Sequence, residues 1–363
     1  MSSPTAAFAD TSPSERLHGP DVVRAVALIG VVVMNYHGYL ILRGGRVGDG
    51  WIADLLDPWN SPFATRFAAT FVLVAGVGVT LLTRRARCEP ALVAEMRWRL
   101  ARRGMLLYVV GLLLDEIWPG TIIPYYGVMF VLAAAIFTWR SRWIIAIGFT
   151  AAIAGTSLRL WRFDREQNGH ATEWLSAPGL DSIRHYVFDV MINGTHPLLP
   201  WFAFFCAGIV LGRILSTKWW RPAALATGGV LLFVAATAAA MPTSDLGAVA
   251  VSLDPRNRSL AYVANALGVA LVAYAVIDWL AGRFPTQTDP LRRAGQLTLS
   301  LYLAHVVVFN LLVDWLGWVK PAGFEVAIVF ASIFWVAAIV GGTWWQRRFG
   351  RGPAEYVYRA FGA

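Results

Sequence analysis

The chain has 363 residues, 57% of them hydrophobic and only 15% charged, with a formal net charge of +9. Soluble domains average about 25% charged residues; this composition, with a mean hydropathy of +0.54, argues against a soluble globular enzyme and for a protein that lives in a bilayer. The arginines sit between long apolar blocks and not along one basic stripe, which argues against nucleic-acid binding, and Cys88 and Cys206 have no metal-ligand spacing with histidine.

In chain order, residues 1–20 are polar and lack an early apolar core, as expected of a short cytoplasmic tail and not of a cleaved signal peptide. Ten apolar blocks follow, at about 22–40, 62–82, 104–119, 122–139, 143–160, 197–215, 222–241, 259–281, 295–317 and 323–345. Each has about the length that crosses 30 Å of hydrocarbon as a helix. The fold class predicted is therefore all-α, a polytopic membrane helix bundle over 21–345. "WPGT" turns blocks three and four into a hairpin, because Pro-Gly is a turn signal. The longest connection, 161–196, contains "LDSIRHYVFDVMING", where Ile183, Val187 and Met191 share one helical face suited to a membrane surface. Residues 346–363 form a basic, aromatic tail predicted to lie on the inner surface.

Alternating the blocks from a cytoplasmic N-terminus assigns 21 Lys and Arg inside and 9 outside, with Arg66 inside the second block. The excess of positive charge on one side predicts both termini in the cytoplasm and 161–196 outside. A multi-pass place in a cell membrane is the expected location.

Polar groups within the blocks are costly and mark sites. Arg24 and Asn35 lie eleven residues apart on the first block, about 20° round and about 16 Å along a helix. His37 follows near the helix end. Arg66 should lie at the depth of Asn35 on the next block. Thr298, Tyr302 and His305 form a polar stripe on the ninth block, and His196 stands near the outer interface. Plainer roles exist for each: an interfacial anchor for Arg24, interhelical hydrogen bonds for Asn35 and His305, an outer-headgroup contact for Arg66.

"LHGPDVVRAVALIGVVVMNY" resembles the first helix of the YeiB-like bacterial membrane proteins and of the heparan-alpha-glucosaminide N-acetyltransferase group, with Ala25 where those families usually have glycine. "LARRGMLLYVVGLLLDEIWPGTIIPYYGVMFVLAA", "GTHPLLPWFAFFCAGIVLGR" and "RRFGRGPAEYVYR" resemble later YeiB-like segments. "GQLTLSLYLAH" more loosely resembles a late helix of the acyltransferase-3 family. The likeness covers about 16–360 and points to a bacterial cytoplasmic membrane as the location. It implies a membrane acyltransferase taking an acyl group from cytoplasmic acyl-CoA, above all acetyl-CoA, to an extracytoplasmic glycan or lipid-linked acceptor. At the position where acyltransferase-3 proteins carry a histidine, this chain has Asn35, as the heparan-type group does. That group's catalytic loop histidine falls at Arg46 here, and no histidine occurs between 38 and 169. Acyl transfer needs a base and an oxyanion donor, so the expected roles are Asn35 as oxyanion donor, His305 or His37 as base with His305 preferred for its shielded depth on the polar stripe, Arg24 at the CoA phosphates, and Arg66, Tyr302 and His196 around the acceptor. Asn35, Arg66 and one histidine are expected to line one polar cavity. No permanently bound cofactor is expected, and a homodimer is left open. A transporter of an anionic or amphipathic molecule, or a non-catalytic protein of the same fold, are the alternatives.

Overall fold

A backbone without water to bond must satisfy its own N–H and C=O groups, so long apolar runs become helices. The computed structural model describes residues 18–175, 182–241 and 244–362, and within them every regular element is helical. Most of the expected N-terminal tail lies outside the described residues. The α-helices are α1 (His18–Leu42), α2 (Trp51–Leu55), α3 (Arg66–Thr83), α4 (Val93–Asp115), α5 (Ile123–Ile136), α6 (Ser141–Gln167), α7 (Ile183–Phe188), α8 (Leu198–Ile214), α9 (Trp220–Ala239), α10 (Asp245–Val251), α11 (Leu260–Arg283), α12 (Pro285–Gln296), α13 (Thr298–Phe309), α14 (Phe324–Phe349) and α15 (Pro353–Phe361). α7 and α13 each continue into a π-helical turn, Asp189–Asn193 and Asn310–Trp315.

Seven of these, α1, α3, α6, α9, α11, α13 with its π turn, and α14, are long and apolar enough to cross a membrane. The segment Ile183–Asn193 and α8 together pass the same test as a pair bent by 60°. α5 is apolar but shorter. α4 begins with the run "VAEMRWRLARR", so only its second half is apolar.

α1 is the hub. It packs against α3, α11, α12, α13 and α14, and its residues Leu28, Val32 and Tyr36 are buried in the main core. Arg24 lies beside Gly295 and Asn35 beside His305, so α1 and α13 run parallel. Arg24 also lies beside Gly78, so α3 runs back. The starts of α1 and α13, and the ends of α3 and α14, thus share one face with α15, here called the terminal face; the end of α1 reaches the far face.

Small residues set the helix seams. A Cβ on Gly208 would sit 1.9 Å from the Leu73 carbonyl oxygen, and one on Gly76 would sit 2.2 Å from that of Phe205. α3 and α8 therefore touch backbone to backbone, and Thr80 Oγ1 donates to the Ile209 carbonyl at 2.7 Å. Gly104, Gly111 and Gly127 do the same between α4 and α5, the hairpin expected around "WPGT".

Candidate functional site

The parallel run of α1 and α13 brings Asn35 Nδ2 to 3.2 Å from His305 Nε2. The other ring nitrogen, His305 Nδ1, bonds the Tyr302 carbonyl one turn earlier. A carbonyl only accepts, so Nδ1 carries the proton and Nε2 presents its lone pair. The Asn35 amide must then offer its N–H to the ring, which fixes the orientation of both groups.

The support is aromatic. His305 is fully buried, with the rings of Tyr302, Trp118, Tyr36 and Phe334 at 4.8, 5.5, 6.0 and 6.5 Å. Tyr36 Oη donates to the His305 carbonyl at 3.0 Å while its ring stacks on Phe330 at 4.4 Å. Tyr302 Oη sits 3.0 Å from Thr121 Oγ1 and accepts from the Ile122 amide at 3.3 Å. Tyr302 thus ties the α4–α5 turn to the histidine's helix and holds the imidazole through its carbonyl. Asn35 is only half-buried. It is the accessible member of the pair, with the histidine behind it.

The other sequence candidates go elsewhere. Arg66, 3% exposed, donates through Nη1 to the Ala64 carbonyl at 2.7 Å, through Nη2 to the Leu253 carbonyl at 2.8 Å, and through Nη2 and Nε to Asn265 Oδ1 at 3.0 and 3.2 Å. Its guanidinium carbon lies 5.1 Å from the centre of the Tyr262 ring. Arg66, expected to share a cavity with Asn35, has none of that residue's partners: its planar fork of donors is used to join α3, α11 and the 252–259 loop. His37 is buried, with Nδ1 2.8 Å from the Leu56 carbonyl and Nε2 3.0 Å from that of Val47. It pins the α1–α3 connection and faces away from Asn35, because the helix does not end at Gly38 and the ring keeps its regular direction. Nearby, burial pushes the Asp57 carboxyl up, but N–H groups of Asn60 and Trp59, with His37 close by, outweigh it and hold it below its ordinary value.

His196 packs against Trp201 at 4.6 Å and Tyr125 at 6.0 Å, and its buried Nδ1 has no hydrogen-bond partner. Burial, then the charge of Arg258, lowers its pKa to about 3. It therefore stays neutral at ordinary pH, in a cluster separate from Asn35 and His305. Arg24 stands near the terminal face. Its Nη1 donates to Asp21 Oδ1 at 3.3 Å and to the Gly295 carbonyl at 3.4 Å, and its Nη2 faces Gly78. The buried hydroxyls of Tyr126 and Tyr274, both within Coulombic reach of Arg24, have no hydrogen-bond partner.

Tyr36, Trp118 and Thr121 were not singled out by the sequence. Tyr36 was findable as the residue after Asn35; Trp118 and Thr121 lie in the "WPGT" turn, which reads only as a turn until α5 is placed against α13.

A helical membrane bundle with a buried, lone-pair-presenting histidine behind an accessible amide defines the class. The family described as "Heparan-alpha-glucosaminide N-acetyltransferase, catalytic" matches residues 16–241, and "Protein of unknown function (DUF418)" matches residues 210–362. The chain is 22% identical to Uncharacterized protein YeiB of Escherichia coli (strain K12), with 93% of this chain and 94% of that protein covered. The chain belongs to the heparan-alpha-glucosaminide N-acetyltransferase catalytic family, as a YeiB-like protein.

Proposed function

We propose that this protein is a membrane acyltransferase moving an acyl group, above all acetyl, from cytoplasmic acyl-CoA to a hydroxyl or amine of an extracytoplasmic glycan or lipid-linked acceptor. The observation that carries the reading is the Asn35–His305 pair at 3.2 Å, in a family whose matched region is an acetyltransferase catalytic domain.

Acyl transfer needs a base for the acceptor proton and a donor for the developing oxyanion. The acceptor hydroxyl displaces the Asn35 amide from His305 Nε2 and gives its proton to that nitrogen. The acceptor oxygen attacks the thioester carbonyl carbon, and the released Asn35 N–H meets the oxyanion. When the tetrahedral intermediate collapses, the C–S bond breaks, and the proton on Nε2 leaves with the thiolate as free CoA. Throughout, Nδ1 keeps its proton on the Tyr302 carbonyl, which stabilises the transient imidazolium. Arg24, with Nη2 free of Asp21 and Gly295, would receive the CoA phosphates from the terminal face. His305 takes the part that the heparan-type group gives to its loop histidine, since Arg46 stands there in this chain.

The reading includes ten crossings, with α4, α5 and the bent α8 added to the seven long apolar helices, and both termini cytoplasmic. The test is transfer from labelled acetyl-CoA in membranes containing wild type, His305→Ala or His37→Ala. Activity lost with the first and kept with the second supports the assignment. Full activity in both variants removes histidine catalysis, and uptake of unmodified substrate without acyl-CoA consumption would favour transport.

A further inference from the structure

On the far face, lined by neither Asn35 nor His305, a cleft is built from arginine. It has a volume of about 190 Å³ and is lined by Arg159, Arg162, Arg256 and Arg258, with Asn193 and apolar walls including Leu158 and Leu199. The arginines come from two places. Arg159 and Arg162 lie three residues apart, on one face near the end of α6. Arg256 and Arg258 come from the "DPRNRS" loop before α11.

Their partners are unequal. Arg256 pairs with Asp254 at 2.7 Å and points largely to solvent. Arg258 is spent on carbonyls, those of Ile192, Asn193 and Gly194, and has no carboxylate. Arg159 reaches only the Asn257 amide oxygen, at 3.5 Å. Arg162 has both Nε and Nη2 buried with no hydrogen-bond partner. Glu166, one turn on, acts on it as a countercharge, and one oxygen of Glu166 already accepts from Thr172 at 2.7 Å. Among the described residues, Arg159, Arg162 and Arg258 make no ion pair, although Arg159 repels both Arg162 and Arg258. Like charges held together, with buried N–H donors idle, destabilise a fold unless something offsets them.

We propose that this cleft binds a phosphoryl oxyanion, hydrogen-bonded by Arg159 and Arg162 and held as well by the charge of Arg258. Guanidinium forks match tetrahedral and planar oxyanions, and three neighbouring cations without an ion pair favour a dianion over a single carboxylate. The volume lies below the range of about 300–1,000 Å³ for pockets that enclose drug-sized ligands, so it takes a phosphate group and not a nucleotide. Leu158 and Leu199 give the anion an apolar flank, and at the same end of α6 Trp161 packs 6.1 Å from Trp174, as interface aromatics do. The phosphate can therefore come from a lipid headgroup or from a soluble ester. The site stands independently of the reaction at Asn35 and His305, and its test is binding.

Full-length protein in neutral detergent is titrated with inorganic phosphate and pyrophosphate at constant ionic strength, chloride and sulfate serving as references, with Tm as the readout. A parallel sample in phosphatidylcholine nanodiscs receives phosphatidic acid or diacylglycerol. Wild type should gain Tm with at least one phosphate probe, and Arg159→Gln/Arg162→Gln should bind it at least tenfold more weakly. Without any probe, that variant should be as stable as wild type or more so, because repulsion is relieved; Arg162→Lys should keep part of the response. A rise with soluble phosphate identifies a soluble ester, and a rise with phosphatidic acid alone identifies a headgroup. No response to any phosphate probe, or an equal response in the double glutamine variant, overturns the site.

Discussion

Asn35 and His305 are separated by 270 residues, yet each constrains the other's chemistry. The Tyr302 carbonyl decides the histidine tautomer, the tautomer decides the amide orientation, and the amide is what a ligand would meet. If Asn35 stabilises an oxyanion, Asn35→Ala should lower kcat by about 10²–10³, the loss typical of one such donor, with a smaller change in KM; steady-state kinetics with labelled acetyl-CoA would read this. Tyr36→Phe keeps the ring on Phe330 and deletes only the bond to the His305 carbonyl. It should cost about 0.5–1.5 kcal/mol in a denaturation or Tm measurement. His196 supplies a pH effect. Its pKa is about 3 in the folded protein against about 6.5 for an unperturbed histidine. Between those values the unfolded chain binds more protons, so this contribution to stability is complete above about pH 6.5 and declines as pH falls towards 3. His196→Phe should flatten the Tm–pH curve in that window relative to wild type; identical slopes would mean the ring is not the source. The polar stripe on the ninth block and the asparagine on the first were legible because helical periodicity acts within one segment. The fate of Arg66 was not: its acceptor Asn265 lies 199 residues away, and depth alone does not say which neighbour a side chain meets. The cation in the span looked functional for a sound reason, cost in lipid, but the cost is met by the amide of Asn265 and two carbonyls.

At the scale of elements, glycine seams and the Arg66 fork hold the helices where the site needs them. α3 and α8 approach so closely that Gly208→Ala would drive a methyl into the Leu73 carbonyl. Overpacking of this kind costs about 1–3 kcal/mol, and it should appear as a lower Tm with the Asn35–His305 chemistry affected little, since α8 does not supply that pair. Arg66→Lys is a sharper test of the fork. One ammonium cannot reach the Ala64, Leu253 and Asn265 oxygens together, and each buried acceptor left alone costs about 1–3 kcal/mol. The lysine variant should therefore lose stability much as alanine does; a lysine that restored wild-type Tm would mean charge, not geometry, is what α3 requires. The α4–α5 hairpin was legible from "WPGT" and the apolar blocks around it. The division of the longest connection into α7, a π turn and a bent entry to α8 was not, because "NGTHPLLPW" announces a break without saying how the chain resumes. The arginine cleft was hidden for a related reason. Arg159 and Arg162 share a helix face in the sequence, but Arg256 and Arg258 join them only when the loop before α11 folds over the end of α6.

For the whole molecule, the open question is which face is cytoplasmic. The face carrying the start of α1 also carries the connection 84–92, the first turns of α4, the charged α12 and the tail α15, and it takes 20 of the 30 Lys and Arg among the described residues. Positive charge is retained on the cytoplasmic side during insertion, so this face should be inside, and the arginine cleft at the end of α6 should be outside. The chain contains its own reporter. Cys88 is exposed in the 84–92 connection, and Cys206 is buried within α8. A membrane-impermeant maleimide should therefore leave the wild-type protein unlabelled in intact cells and label Cys88 once the cells are lysed. In a Cys88→Ala background, His170→Cys, at an exposed position just beyond α6, should label in intact cells. The two positions lie on opposite faces of one bundle, so their patterns must be reciprocal. Labelling of Cys88 in intact cells with protection of position 170 would invert the orientation. It would also place Arg24 on the side away from cytoplasmic acyl-CoA, and the proposed direction of acyl transfer would fall with it.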